Sequence, residues 1–279
     1  MINRKDAALY VGPASVFLLV VILVPLAMLF HTSLVGQNGV SLEAYQKLFG
    51  STLFRRTLWA TVEISLLASL ASLLLGYPLA LHLARQPPRK RALYMVLVLV
   101  PFWTSILVKS FAFTVLLGKN GLINSLLSWL TGTDVHLPMI FNRFGVMVGM
   151  TNYLIPFIVF PVLTSLMAIN PALYKAAEII GAKPPKIFFS ITVPLSLPGV
   201  AAGVLSTTVM SMGFFVIPAL LGSPQDVMMS NLVDFYTRET LDWNMASAIG
   251  VIMLVIIGLL GAVAGRLQKF GAKPREVAL

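Results

Sequence analysis

The chain alternates long apolar runs with short polar clusters. Six runs, approximately residues 8–29, 58–81, 93–116, 146–167, 198–220 and 246–265, hold the roughly 20 predominantly apolar residues that a bilayer-spanning helix requires. None is long enough to cross twice. The first follows Arg4 and Lys5, as a secretion signal would, but no small-x-small cleavage site stands behind it, so it is expected to remain as a span. Pro78, Pro101, Pro156, Pro161 and Pro218 fall within or at the ends of the runs, where neighbouring helices can re-satisfy the freed backbone groups. Gly199 and Gly203, like Gly261 and Gly265, have the four-residue spacing that lets two helix backbones approach closely. The pattern predicts an all-α polytopic membrane protein with six transmembrane helices packed as a bundle.

One element does not fit the membrane. Asn170 is a good N-cap, Pro171 suits the first helical position, Gly181 suits a left-handed C-terminal cap, and Pro184 blocks continuation. These signals delimit a helix over 171–180, which at about 1.5 Å per residue reaches roughly 15 Å, half of a crossing. Leu173, Ala176, Ala177 and Ile180 recur at helical spacing and form one face of small and apolar residues, with Lys175 and Glu178 directed elsewhere. Such a face suits a helix resting on lipid headgroups or a knob that docks into a cytoplasmic partner.

Composition narrows the class. Hydrophobic residues make up 58% of the chain and charged ones 11%, against roughly a quarter charged in a soluble protein. The net charge of +10 comes from short clusters between the runs, not from a solvated basic face carrying aromatics, so nucleic acid is not an expected partner. With a cytoplasmic N-terminus, the inside segments, which include Lys273 and Arg275, hold 13 of the 20 basic residues and a net +10, while the outside segments are neutral. Enrichment of Lys and Arg in short cytoplasmic loops therefore places both termini inside. There is no cysteine, no phosphate loop, no Gly-x-Ser-x-Gly elbow and no grouping of the three histidines with acids. Neither an enzyme nor a metal site is expected.

Two ionisable side chains lie inside the runs, where such groups are functional candidates by default. Glu63 and Lys109 fall at similar depth toward the outside and could pair, as structural glue or as part of an outer gate. If they pair only with each other, exchanging them should preserve transport. The last outside loop carries Asp226, Asp234, Glu239 and Asp242 against Arg238 alone. It reads either as a solvated loop or as a docking surface for a binding protein.

Lys175-Ala176-Ala177, three residues, Gly181, nine residues, then Ile191-Thr192-Val193-Pro194 resembles the Glu-Ala-Ala loop of binding-protein-dependent ABC importer permeases. In that family the motif reads Glu-Ala-Ala, then Gly, then Ile-x-Leu-Pro at the same spacing; here Lys175 replaces Glu and Val193 replaces Leu. Ser41-Leu-Glu-Ala-Tyr45, Pro101-Phe-Trp-Thr-Ser105, Pro218-Ala-Leu-Leu-Gly-Ser223 and Asp242-Trp243 are similar to the spermidine/putrescine-like branch.

The resemblance implies a type I importer transmembrane domain in the bacterial inner membrane. Residues 1–55 would supply the first transmembrane helix and a periplasmic loop, 56–267 a core of five helices, and 268–279 a cytoplasmic tail. It further implies that 171–180 is a coupling helix offering Leu173, Lys175, Ala176, Ala177, Glu178, Ile180 and Gly181, with Pro194 behind them, to an ATPase. ATP and Mg would be bound there and not by this chain. The implied partners are a second homologous permease, two copies of the ATPase and a periplasmic substrate-binding protein. The implied cargo is a polyamine such as putrescine or spermidine, or else an opine, a phosphonate or another small amine or amino acid. An ion-driven secondary transporter would be expected to show inverted repeats and buried acidic relays, and neither is evident beyond Glu63.

Overall fold

The computed structural model describes residues 4–36 and 39–271, so Lys273, Arg275 and Glu276 lie outside the described part. The helices in chain order are α1 (Arg4–Leu34), α2 (Glu43–Gly50), α3 (Thr52–Ala84), α4 (Pro88–Trp103), α5 (Ile106–Leu117), α6 (Leu122–Thr131), α7 (Arg143–Met167), α8 (Pro171–Ile179), α9 (Pro184–Ile187), α10 (Val193–Met212), α11 (Val216–Leu221), α12 (Met229–Arg238) and α13 (Trp243–Gly271). A π-helical turn, Phe188–Thr192, joins α9 to α10. Val35–Gly36 and Gly39–Val40 form a two-residue antiparallel pairing. Among the described residues six helical stretches are long and apolar enough to cross a membrane.

The chain divides into two compact units, Met1–Arg55 with Leu232–Ile256, and Arg56–Asn231 with Ile257–Leu279. In the first, Val16 to Val24 of α1 all stay exposed, as expected of a helix whose solvent is lipid. Tyr45 of α2 donates to Ser33 Oγ at 2.8 Å, Asn244 donates to the Val35 carbonyl at 2.6 Å, and Leu29 lies against Gly250.

The second unit holds two apolar cores. One gathers Ile64, Met150, Leu154, Phe214, Ile217 and Leu221, and the other Leu83, Ile158, Val162 and Leu166. Along α3, Thr57, Thr61, Ser65, Ser69 and Ser72 fall on one buried face. Buried hydroxyls join helices where the hydrophobic effect no longer distinguishes lipid from protein. Thus Thr208 donates to Ser69 at 3.1 Å, and the Met229 amide donates to Thr61 at 2.9 Å. Helices α7 and α10 meet where Gly199 faces Pro161 and Ser165, so close that a Cβ would stand 2.8 Å from the Ser165 Cβ. The expected close approach at Gly199 and Gly203 is therefore present. Among the described residues, nothing beyond the helix's own backbone lies within 4 Å of where a Cβ would sit at Gly261 or Gly265.

Two expected spans are interrupted. The run 93–116 is split between α4 and α5, because Thr104 and Ser105 take extended backbone after Pro101 has removed one helical donor. The run 198–220 belongs to two helices. Helix α10 begins earlier, at Val193, and ends at Met212, and Gly213 to Phe215 leave the helix before α11 restarts. Hydropathy counts apolar side chains, and neither break changes that count.

Candidate functional site

Three features of the second unit bear on function, and the first is α8. The Asn170 side chain accepts from the Ala172 amide at 2.9 Å and caps the helix, Pro171 occupies its first position, and Gly181 takes φ +75°. The Ala182 amide then reaches back to the Ala177 carbonyl at 3.0 Å, closing the C-terminus. The helix ends at Ile179 with Ile180 as its cap, one residue short of the expectation.

The expected face is split. Leu173, Lys175, Ala176, Glu178 and Ile180 are exposed, as is Pro194 in the first turn of α10, whereas Ala177 is buried. Ala177 shares its side of the helix with Tyr174, whose hydroxyl lies 3.3 Å from Thr192 Oγ1, so this side seats α8 on the π turn. Ala177 therefore lies on the buried edge of α8, apart from the exposed residues with which its spacing groups it. Ile179, absent from the expected face, is 85% exposed. Spacing alone groups 173, 176, 177 and 180, and only the neighbour at Thr192 shows which edge of that stripe turns inward.

The second feature is a charge cluster. Arg143 Nη1 lies 2.7 Å from Glu63 Oε1 on α3, and its Nε donates to Asp226 Oδ1 at 2.9 Å. Ser223 donates to the other Asp226 oxygen from both its amide and its hydroxyl. Glu63 is therefore paired with Arg143 and not with Lys109. Asp226, expected on an open acidic loop, is buried, because its carboxylate answers the half-buried guanidinium. Asp234 is bonded to Arg238, Asp242 caps α13 through the Met245 amide, and Glu239 and Asp242 are exposed. Arg143 was legible in principle. It follows the N-cap Asn142, and a cation in the first turn opposes the helix dipole, so nearby carboxylates are called for.

Burial pushes the Asp226 carboxyl up, but the hydrogen bonds from Ser223 and Arg143 and the charge of Arg143 outweigh it and hold it below its ordinary value. A depressed carboxylate contributes stability above its unfolded pKa of about 3.9, and this contribution is lost as pH falls through the lower folded value. Asp226→Asn should therefore lower the thermal midpoint at pH 7, and by less at a pH below about 3.9. An equal loss at both pH values would contradict the assignment.

The third feature surrounds Lys109. Its Nζ is buried without a hydrogen-bond partner among the described residues and sits 5.0 Å from the centre of the Tyr153 ring. Tyr153 packs against Phe102, Phe157 and Phe214. Beside it, at the α10–α11 break, lies an open pocket of about 340 Å³ lined by Ile106, Tyr153, Met210, Phe214 and Phe215. Irregular backbone at membrane depth is tolerated where it is buried in protein or borders a cavity. A larger cavity, about 550 Å³, separates α8 from α3 and α4 and is lined in part by Arg85, Arg91, Tyr174 and Glu178. Among the described residues no group of three His, Cys, Asp or Glu could hold a metal ion.

The chain combines membrane-length helices with a short capped helix between two of them. The chain belongs to the family of binding-protein-dependent transport system inner membrane components, whose model matches residues 72–272. It is a permease subunit of an ABC importer and a multi-pass protein of the inner membrane. It is 29% identical over 268 residues to the spermidine/putrescine transport system permease protein PotB of Escherichia coli (strain K12), covering 94% of this chain and 97% of that one. Its fold is similar to that of a bacterial ABC transporter involved in the import of the acidic polysaccharide alginate, with a TM-score of 0.74 at 21% identity over 97% of this chain and 98% of that one. The bacterial alginate transporter in complex with an alginate pentasaccharide-bound periplasmic protein matches with a TM-score of 0.72 at 22% identity, over 95% of this chain and 96% of that one.

Proposed function

We propose that this chain forms half of an ATP-driven path for a small solute delivered by a periplasmic binding protein. The other half is a second, homologous permease, and two copies of an ABC ATPase bind ATP and Mg. Both termini face the cytoplasm, residues 56–267 form the transport core, 1–55 add a helix and a periplasmic segment, and 268–279 a cytoplasmic tail. The observation that carries the reading is α8, a helix too short to cross, anchored by Tyr174 and Ala177 and presenting Leu173, Ala176, Ile179 and Ile180 outward. Exposed apolar residues on a capped, membrane-flanking helix suit an ATPase groove, and the anchor gives the rigidity that coupling requires. Lys175 and Glu178 flank the apolar face, and Asp234, Glu239 and Asp242 offer an acidic surface for the binding protein.

The relatives named for spermidine and putrescine favour a polyamine as cargo. The Lys109 ammonium, without a hydrogen-bond partner among the described residues, favours a second class, small amines that also carry an acid group, such as an opine or a phosphonate. Uptake of labelled putrescine and of 2-aminoethylphosphonate by the reconstituted importer separates the two.

The coupling role is tested on the complex. Co-expressed with its ATPase, the parent chain should retain it through purification, and Ile180→Asp should lower solute-stimulated ATP hydrolysis about tenfold, as expected from desolvating one unpaired charge in an apolar groove. Retention of the ATPase with undiminished stimulation would remove α8 from the coupling path. Uptake by the purified chain alone, driven by a proton gradient, would replace the whole reading with an ion-driven transporter.

A further inference from the structure

Helix α11 has six residues, too few to hold its conformation alone. Its place is fixed from outside at both ends. At the break, the Phe214 carbonyl accepts from the Ser230 hydroxyl, and the Phe215 carbonyl accepts from the Asn231 side chain at 3.0 Å. At the far end, the Asn142 amide donates to the Leu221 carbonyl at 3.2 Å, and the following turn, Ser223 to Asp226, is gripped by Arg143. Between these ends Ile217 and Leu221 lie so close to Gly149 of α7 that a Cβ there would stand 2.9 Å from each. The segment from Phe214 to Asp226 is thus a strut with the cavity beside Tyr153 at one end and the Arg143 cluster at the other.

The two arms of the cluster differ. The Asp226 side chain is 5% exposed and fixed by Ser223, whereas Arg143 and Glu63 keep 35% and 38% of their side-chain exposure. A partly hydrated ion pair is weakly held, which makes the Glu63 arm reversible, whereas the Asp226 arm is backed by local hydrogen bonds. A guanidinium that shares its donors between a firm and a loose carboxylate can release α3 while keeping hold of the strut.

We propose that Arg143 is a positioning residue of the translocation path: it latches α3 to the α11 strut, holds the break at Phe214 and Phe215 in place beside the pocket at Tyr153, and lets go of Glu63 to admit solute. This rests on the importer reading of the chain. Arg143 acts through α11.

The chain contains no cysteine, so a single introduced thiol reports local access to water. Met210→Cys lines the cavity, and Val162→Cys, buried in the other core, serves as the control. In the assembled, nucleotide-free importer, Arg143→Met should raise the rate at which a membrane-impermeant maleimide labels Met210→Cys by about tenfold, Glu63→Gln should raise it by less, and Arg143→Lys should restore most of the protection. Labelling of Val162→Cys should not change. Unchanged labelling at 210, or an equal rise at 210 and 162, would overturn the latch. Should Arg143→Met fail to assemble, Glu63→Gln, which spares the Asp226 arm, decides by the same two sites. The same labelling on this chain in lipid nanodiscs without an ATPase reads the latch by itself, so failure of the latch is distinguished from loss of ATPase association, which bears on the coupling role of α8.

Discussion

Gly199→Leu is expected to abolish accumulation of the folded permease, while Gly261→Leu leaves it unchanged. At position 199 a Cβ would collide with the Pro161 carbonyl oxygen and the Ser165 hydroxyl and stand 2.8 Å from the Ser165 Cβ. Two of these obstacles belong to backbone or lie next to it, so no side-chain rotation relieves them. Overpacking costs about 1–3 kcal/mol when neighbours can shift. Here α7 and α10 must separate, and the buried hydroxyls of α10 at Ser196, Thr207 and Ser211 would move with it. Even Gly199→Ala should be destabilising. The check is the yield of monodisperse protein together with its thermal midpoint in detergent. Normal yield and midpoint for Gly199→Leu would mean that α7 and α10 do not pack as described.

The second large effect reverses what the sequence led one to expect. Exchanging Glu63 and Lys109 should not preserve transport, because the two do not pair. Lysine at 63 would set an ammonium against Arg143 in place of the 2.7 Å ion pair. Breaking a fully buried pair costs about 3–5 kcal/mol; with Arg143 and Glu63 each more than a third exposed, about 2 kcal/mol is appropriate. Glutamate at 109 would bury a carboxylate with no donor against the negative face of Tyr153, at about 3 kcal/mol for an acid at membrane depth. The sum, about 5 kcal/mol, rivals the whole stability of a marginal domain. Folded yield and solute uptake should both collapse in the double exchange, and each single variant should lie between it and the parent. Uptake at the parent level would restore a direct Glu63–Lys109 interaction.

These cases show where sequence reading stops. Spans, the capped helix after Asn170 and the importer family were legible because each depends on neighbours within one stretch of chain. Apolar length sets a span, Asn170, Pro171 and Gly181 punctuate a helix, and the spacing from Lys175 to Pro194 carries the resemblance. The ion pairs were not legible, since Glu63, Arg143 and Asp226 are joined across 80 and 83 positions of sequence and nothing local announces the partner. Lys109 was recognised as an intramembrane charge, yet its neighbour Tyr153 lies on another helix.

The sequence by itself therefore determined a series of apolar spans and a short capped helix after Asn170, because hydropathy and capping act over a few residues. Only the tertiary structure decided which edge of that helix is free, which acid Arg143 holds, and where α5 and α11 begin. Those outcomes depend on contacts between helices, and an uninterrupted apolar run is equally consistent with one helix or two.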